Sequence, residues 1–316
     1  MNEMKFKANL GRAVLQLSDM FSDPSLALWE YISNSIQYRE KLDGLKVTVL
    51  INKNEVEISD NSDGMDETIL QSFFTYAGEN LARKGRQVSW HHRGKNGTGK
   101  LAAFGIANIL EVETVKDGYK NKYRLTRKSI EQNPEDSQEI PIEAIVHQEK
   151  TLEKNGTKIF IKDLKKEIDS KRIVRKIERE ISPYRTYDAK FLVNSVLCEF
   201  KQPEIDKTYN FESEGPIKQR YGQFNLQVVV TRHPLDSQDK GIKIMCDKAI
   251  VGIEDYGVSK QRYGNYITGE VDIPDLEKPI DNIMPFDQSR RQVLNNEHEG
   301  VRELMFFIAP KLEKVR

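Results

Sequence analysis

Cysteine is scarce. Cys198 and Cys246 are the only two in 316 residues, too few for a disulfide framework or a cysteine metal cluster, and they suit a reducing compartment. Net charge is missing as well: 49 Lys and Arg residues balance 49 Asp and Glu residues, so no global positive field points to nucleic acid, although a local patch stays open. No window approaches the roughly 20 apolar residues of a membrane span. The opening MNEMKFKANLGRAV lacks the apolar core of a signal peptide. What is present is a hydrophobic fraction of 38% with 31% charged residues, enough to build sizeable cores and too apolar for disorder. At about 150 residues per domain the length implies two domains. The expectation is a soluble, cytoplasmic, two-domain protein.

Periodicity organises the first half. Leu10, Val14, Leu15 and Leu17 form the apolar stripe of one helix, and Pro24-Ser25 opens a second that carries Leu26, Leu28, Trp29, Ile32 and Ile36. Strands over 46–51 and 55–59 flank the turn Asn52-Lys53-Asn54, and a helix follows over 66–76. Residues 77–93 have weak periodicity, carry Arg83, Lys84, Arg86 and Arg93, and hold no acid after Glu79. They read as a mobile basic segment. A glycine-rich turn at 94–99 leads into a helix over 100–108. Strands recur at 109–115, 120–125, 142–146 and 157–162, with a polar loop at 131–139. Strands joined mainly by hairpins, with helices clustered early, imply an α/β sandwich in which a mixed sheet lies under one helical layer.

A helix over 170–181 reads as the connection to a second α/β domain. That domain takes strands at 191–200, 224–232, 242–246, 249–253 and 266–273, with a loop over 201–220. A final helix holds Val301, Leu304, Met305, Ile308 and Leu312, kinked at Pro310.

Three clusters carry chemistry. Glu30 and Asn34 are four residues apart, which puts both side chains on one helical face. A carboxylate and an amide turned inward need partners. A metal–nucleotide complex supplies them, the amide oxygen ligating Mg²⁺ and the carboxylate orienting water. A solvated face, or a pair satisfied inside the protein, is the plainer reading of that spacing alone. Asp60-Asn61-Ser62-Asp63-Gly64-Met65 ends a strand and brings a carboxylate to the sheet rim, where it can accept from an amino group such as that of adenine. Alone it is an ordinary turn before a helix.

Arg93-Gly94-Lys95-Asn96-Gly97-Thr98-Gly99-Lys100 is the strongest local signal. Three glycines ahead of a helix let backbone N–H groups approach an anion. From Gly94 to Lys100 the run nearly spells a P-loop, but Leu101 stands where that motif needs Ser or Thr for Mg²⁺. A phosphate-binding loop of another kind is the reading. Asn155-Gly156-Thr157, at the head of a strand, is by itself only a hairpin turn.

Taken in order, these signals resemble the GHKL ATPases with their Bergerat fold. Trp29-Glu30-Tyr31-Ile32-Ser33-Asn34-Ser35 is similar to the first box of the ninety-kilodalton heat-shock chaperone type. Gly97-Thr98-Gly99-Lys100-Leu101-Ala102-Ala103-Phe104 is similar to its glycine box and Gly156-Thr157-Lys158-Ile159 to its last box. MutL-type and microrchidia ATPases are also similar. The resemblance covers the first half well. In the second half it rests on Gly269-Glu270-Val271-Asp272-Ile273-Pro274-Asp275-Leu276 and Ser289-Arg290.

The resemblance implies an ATP-binding domain over 1–167, a lid at about 77–93, and a transducer or middle-like domain over 168–316. It implies that Glu30 activates the attacking water, Asn34 ligates Mg²⁺ and Asp60 binds the adenine amine. Gly64 and Met65 would line the base pocket. Gly94, Gly97, Thr98, Gly99 and Lys100 would contact phosphates, Thr157 would support Asp60 and a bridging water, and Arg290 would stabilise the γ-phosphate. Ser62 and Asp63 depart from the family's glycine and apolar residue, and Gln37 from its acid.

The implied activity is Mg²⁺-dependent ATP hydrolysis coupled to an ATP-dependent homodimer. No separate dimerisation domain is evident in the sequence, so the chain is expected either to be a piece of a longer protein or to dimerise through its N-terminal region. Two outputs follow. One is a chaperone-like switch acting on protein clients, in keeping with zero net charge. The other is a DNA-associated clamp in repair or prokaryotic defence, which the basic 77–93 segment and the basic residues Lys171, Arg172, Arg175, Lys176 and Arg179 favour.

Overall fold

The computed structural model describes residues 9–37, 39, 41–75, 98–135, 137–237, 239–258, 262–286 and 293–315. Two compact units are present, Met1–Phe200 and Lys201–Arg316.

The first unit opens with α1 (Leu10–Asp19) and α2 (Pro24–Gln37). Asn9 caps α1 by accepting from the Arg12 N–H at 2.9 Å. Asp23 caps α2, its Oδ1 accepting from the Ser25 N–H at 2.9 Å, while Pro24 takes the first helical position, where its missing N–H is not needed. The hairpin of β1 (Lys46–Ile51) and β2 (Glu55–Asp60) follows, then α3 (Glu67–Phe74), capped by Asp66.

A single 3-10 turn at Gly99–Leu101 and the short α4 (Ala103–Ile106) lead directly into β3 (Ala107–Lys116). The helix expected over 100–108 is therefore two separate turns, and the strand begins at the end of that range. Then come β4 (Tyr119–Thr126), α5 (Arg127–Glu131), β5 (Glu143–Lys150), β6 (Gly156–Leu164), α6 (Ser170–Glu180), β7 (Lys190–Val193) and β8 (Val196–Cys198).

These strands form one eight-stranded sheet in the order β5-β4-β3-β6-β2-β1-β7-β8. β1 pairs in parallel with β7, whereas the other described pairings are antiparallel. The helical layer covers one face: Leu28, Ile32 and Ile36 of α2 bury with Val56, Ile58, Val112 and Ile161 of the sheet in one core. In β2, Val56 and Ile58 are buried and Glu57 is not. The same two-residue period turns Asp60 toward the helices, which brings a carboxylate into the layer between helix and sheet.

The opposite face is rich in both charges. Glu111 there accepts from Arg124 at 2.7 Å and from Lys162 at 3.0 Å. Burial pushes its carboxyl upward, but these cations outweigh that and hold it below its ordinary pKa.

Two sequence expectations change in this region. The strand expected over 191–200 is a hairpin, because Asn194 (φ 46°) and Ser195 (φ 68°) adopt left-handed conformations that turn the chain. Since β7 then pairs with β1, the division between units falls after Phe200 and not after residue 167.

The second unit holds β9 (Ile205–Glu212), α7 (Gly215–Tyr221), β10 (Asn225–Thr231), β11 (Gly241–Cys246), β12 (Ala249–Glu254), β13 (Ile267–Asp272) and α8 (Glu299–Lys314). Its sheet runs β12-β11-β13-β10-β9. Leu226, Val228, Ile242, Ile244 and Val271 bury against Leu304, Ile308 and Leu312 of α8. The stretch 201–220, expected as a loop, contains β9 and most of α7. α8 continues past Pro310 to Lys314.

Candidate functional site

A cleft of about 390 Å³, solvent-open space included, lies in the first unit where α2 meets the ends of β2 and β6. Asn34 and Ser35 reach it from α2, Asp60 from the end of β2, Gly64 and Met65 from the connection to α3, and Thr157 from β6. Five expected site residues thus share one cleft: Asn34, Asp60, Gly64, Met65 and Thr157.

Asp60 is the centre of the polar network. Its Oδ1 accepts from the Ser62 N–H at 2.9 Å, the Ser62 hydroxyl at 2.5 Å and the Thr157 N–H at 3.1 Å. Its Oδ2 accepts from the Ser35 hydroxyl at 2.6 Å. Four donors fix the carboxylate's position and orientation, and charge-assisted bonds of this kind are the stronger ones. Residue 156 must be small here, because a Cβ on Gly156 would sit 2.4 Å from the Asp60 carbonyl oxygen. Gly64 has φ +69°, and a Cβ there would lie 2.0 Å from the Val115 carbonyl oxygen. The next residue, Met65, is anchored by its N–H donating to the Thr114 hydroxyl at 2.8 Å.

Glu30 is buried one helical turn before Asn34, at 8% exposure. Lys100 is arranged differently from the expected phosphate contact. Its ammonium donates to the Ser72 carbonyl at 3.1 Å and the Thr75 carbonyl at 2.6 Å, and lies 5.9 Å from the Phe73 ring centroid. It closes the C-terminal end of α3, where carbonyls lack helical partners. Burial lowers its pKa to about 8. Phe73 in turn lines the cleft, so Lys100 backs one of its walls. Thr98 and Gly99 enter the same 3-10 turn. Gly94, Gly97, Arg290 and the 77–93 segment lie outside the described residues.

Sequence reasoning missed Ser35, Thr114 and Tyr31, and noted Ser62 only as a departure from the family pattern. Thr114 had a signal: it continues the inward series Leu110, Val112 as a polar residue. Among the described residues no group of three His, Cys, Asp or Glu side chains is arranged to hold a metal. A site built on the Asn34 amide oxygen and nucleotide phosphates needs no such group, because Mg²⁺ takes few protein ligands and fills its shell with phosphates and water. No described helix is long and apolar enough to cross a membrane.

Residues 22–157 match the family model described as histidine kinase-, DNA gyrase B-, and HSP90-like ATPase. They form a GHKL-type ATPase domain. The match begins just before α2 and ends on Thr157, so it takes in every residue that lines the cleft except Ile159. The family description covers several branches and does not single out the chaperone type. A protein of Herpetosiphon aurantiacus described as "Putative type II restriction enzyme HgiDII" is 31% identical over 128 residues. That alignment covers 40% of this chain and 21% of the relative, so the chain spans about a fifth of the relative's length. Beyond the matched residues, on α6, Arg172 pairs with Asp23 at 2.6 Å and Lys176 with Glu180 at 2.6 Å, while Lys171 and Arg175 are exposed.

Proposed function

We propose that this chain is an ATP-driven switch whose GHKL domain binds Mg²⁺-ATP and hydrolyses it, with its output directed to DNA. The observation that carries the nucleotide reading is the Asp60 carboxylate, held by four donors in a cleft that also receives Asn34. A carboxylate fixed in this way is preorganised to accept from an exocyclic amine. Among the described residues Oδ1 takes three donors and Oδ2 takes the Ser35 hydroxyl alone, so Oδ2 has the capacity for another.

The chain's own residues divide the work. Asn34 offers an amide oxygen to Mg²⁺, which would neutralise phosphate charge when bound. Glu30, one turn earlier on the same face, orients water as a general base. Gly64 and Met65 bound the base pocket, and Thr157 supports Asp60 through its N–H. The backbone of Thr98–Lys100, with Gly94 and Gly97, contacts phosphates, and Arg290 stabilises charge on the γ-phosphate.

DNA is favoured as the output by the relative described as a restriction enzyme, and the exposed Lys171 and Arg175 agree with it. A chaperone-like role in a homodimer is the second reading, and rests on the similarity of the first, glycine and last boxes. Steady-state hydrolysis by wild type and Glu30→Ala, with and without duplex DNA across a salt series, tests both. Turnover lost in the variant and stimulated by DNA, with affinity falling steeply as salt rises, supports the DNA reading. Turnover indifferent to DNA turns the output toward a protein client. No ATP binding at all overturns the proposal.

A further inference from the structure

We infer that Tyr31 is a positioning residue, whose hydroxyl fixes the 3-10 turn Gly99–Leu101 against the helix that carries Glu30 and Asn34. The inference rests on the nucleotide reading above. Tyr31 lies between those two residues on α2, is 2% exposed, and borders the cleft. Its hydroxyl donates to the Lys100 carbonyl at 2.8 Å and accepts from the Ala103 N–H at 3.1 Å. One oxygen atom therefore ties α2 to both the 3-10 turn Gly99–Leu101 and the start of α4.

Leu101 and Ala102 bury in the same core as α2, and among the described residues the other backbone bonds of the turn are local, from the Leu101 N–H to the Thr98 carbonyl at 2.9 Å and from the Ala102 N–H to the Gly99 carbonyl at 3.1 Å. Such bonds set its curvature but not its position relative to α2. The Tyr31 bridge sets that position. Lys100 extends the connection, because its ammonium holds the end of α3 while its carbonyl is held by Tyr31. Burial keeps the phenol well above its ordinary pKa, so it remains a neutral O–H that can donate and accept at once. Removing the hydroxyl leaves a part-buried carbonyl and a buried N–H without this partner.

A residue that only fills the core would affect every ligand of the cleft alike. Positioning of the phosphate-facing turn affects only ligands that carry phosphates. The experiment compares adenosine, ADP and ATP binding, by calorimetry in the presence of Mg²⁺, for wild type and Tyr31→Phe, which keeps the ring and loses the hydroxyl. ADP and ATP affinity should fall about 10-fold, with adenosine affinity within about 2-fold of wild type. Equal losses for all three, or no loss for any, overturn the inference.

Hydrogen exchange over residues 98–106 of the wild type supplies a test that does not depend on the variant folding. ADP should slow exchange there more than adenosine does, and equal effects overturn the inference. Wild type that binds neither adenosine nor ADP overturns the nucleotide reading itself, and the inference with it.

Discussion

Ser62 gives both its backbone N–H and its hydroxyl to a single oxygen of Asp60, at 2.9 and 2.5 Å. A glycine, which the family pattern has at this position, could supply only the first bond. The serine adds a second donor to the same oxygen and leaves Oδ2 as the less occupied face of the carboxylate. Asp60→Asn is therefore a sharp test. The amide oxygen can replace Oδ1 and keep its three donors, while the Ser35 hydroxyl reverses to accept from the new NH₂. Stability should change by less than about 2 kcal/mol, but an adenine amine would meet a donor where it needs an acceptor. ATP affinity should fall at least about 10-fold, measured by calorimetry beside a urea melt. Retained affinity would remove Asp60 from the base-binding role.

Gly64 has no tolerance for a side chain. Its φ of +69° is a left-handed conformation, and a Cβ would be 2.0 Å from the Val115 carbonyl oxygen. That oxygen belongs to β3, in the middle of the sheet, so it cannot move aside without disturbing the β3–β6 ladder. Gly64→Ala should destabilise the first unit by about 3 kcal/mol or more, seen as a shifted urea midpoint, with ATP binding lost in parallel. A variant as stable as wild type would mean that the connection between β2 and α3 repacks freely.

Glu30→Ala separates binding from chemistry. Loss of a general base typically lowers turnover by about 100-fold or more, and Glu30 is not among the residues that line the cleft. ATP affinity should stay within about 3-fold of wild type while kcat falls to background. Wild-type turnover in this variant would sink the assignment of Glu30.

The local pattern of the sequence carried most of the first unit. Alternation in Val56, Ile58 and Asp60 is enough to put the carboxylate on the helical side of β2, and the spacing of Glu30 and Asn34 is enough to align them on α2. Contacts made across long chain separations were less legible. β7 pairs with β1 although well over a hundred residues divide them, so the apparent boundary at the connecting helix α6 is not where the unit ends. β9 was hidden because most of its residues are exposed and polar and Lys207 breaks the alternation of Ile205, Tyr209 and Phe211. In the site, Ser35 and Ser62 look like neutral filler in sequence. Their value comes from where the Asp60 carboxylate lies. The reach of Lys100 toward Ser72 and Thr75 could not be read from a glycine-rich motif, since it depends on where α3 ends.

His298 makes the second unit sensitive to acid. It caps α8 from a fully buried position, its Nδ1 accepting from the Val301 N–H at 3.3 Å and its Nε2 lying 3.0 Å from the Lys278 carbonyl oxygen. The cap requires a neutral ring with the proton on Nε2. Burial, and then the nearby Arg220 and Arg302, hold its pKa below the ordinary value of 6.5. The unfolded chain therefore binds a proton that the folded chain refuses, and stability drops as pH falls from about 6.5 toward the lower folded value. His298→Asn keeps a capping side chain without the titratable ring. It should be less stable than wild type by about 1 kcal/mol at pH 8, where it lacks the bond to Lys278, and the gap should narrow by pH 5. Urea unfolding followed by circular dichroism at both pH values measures this. A gap that stays constant would show that the proton is taken up elsewhere.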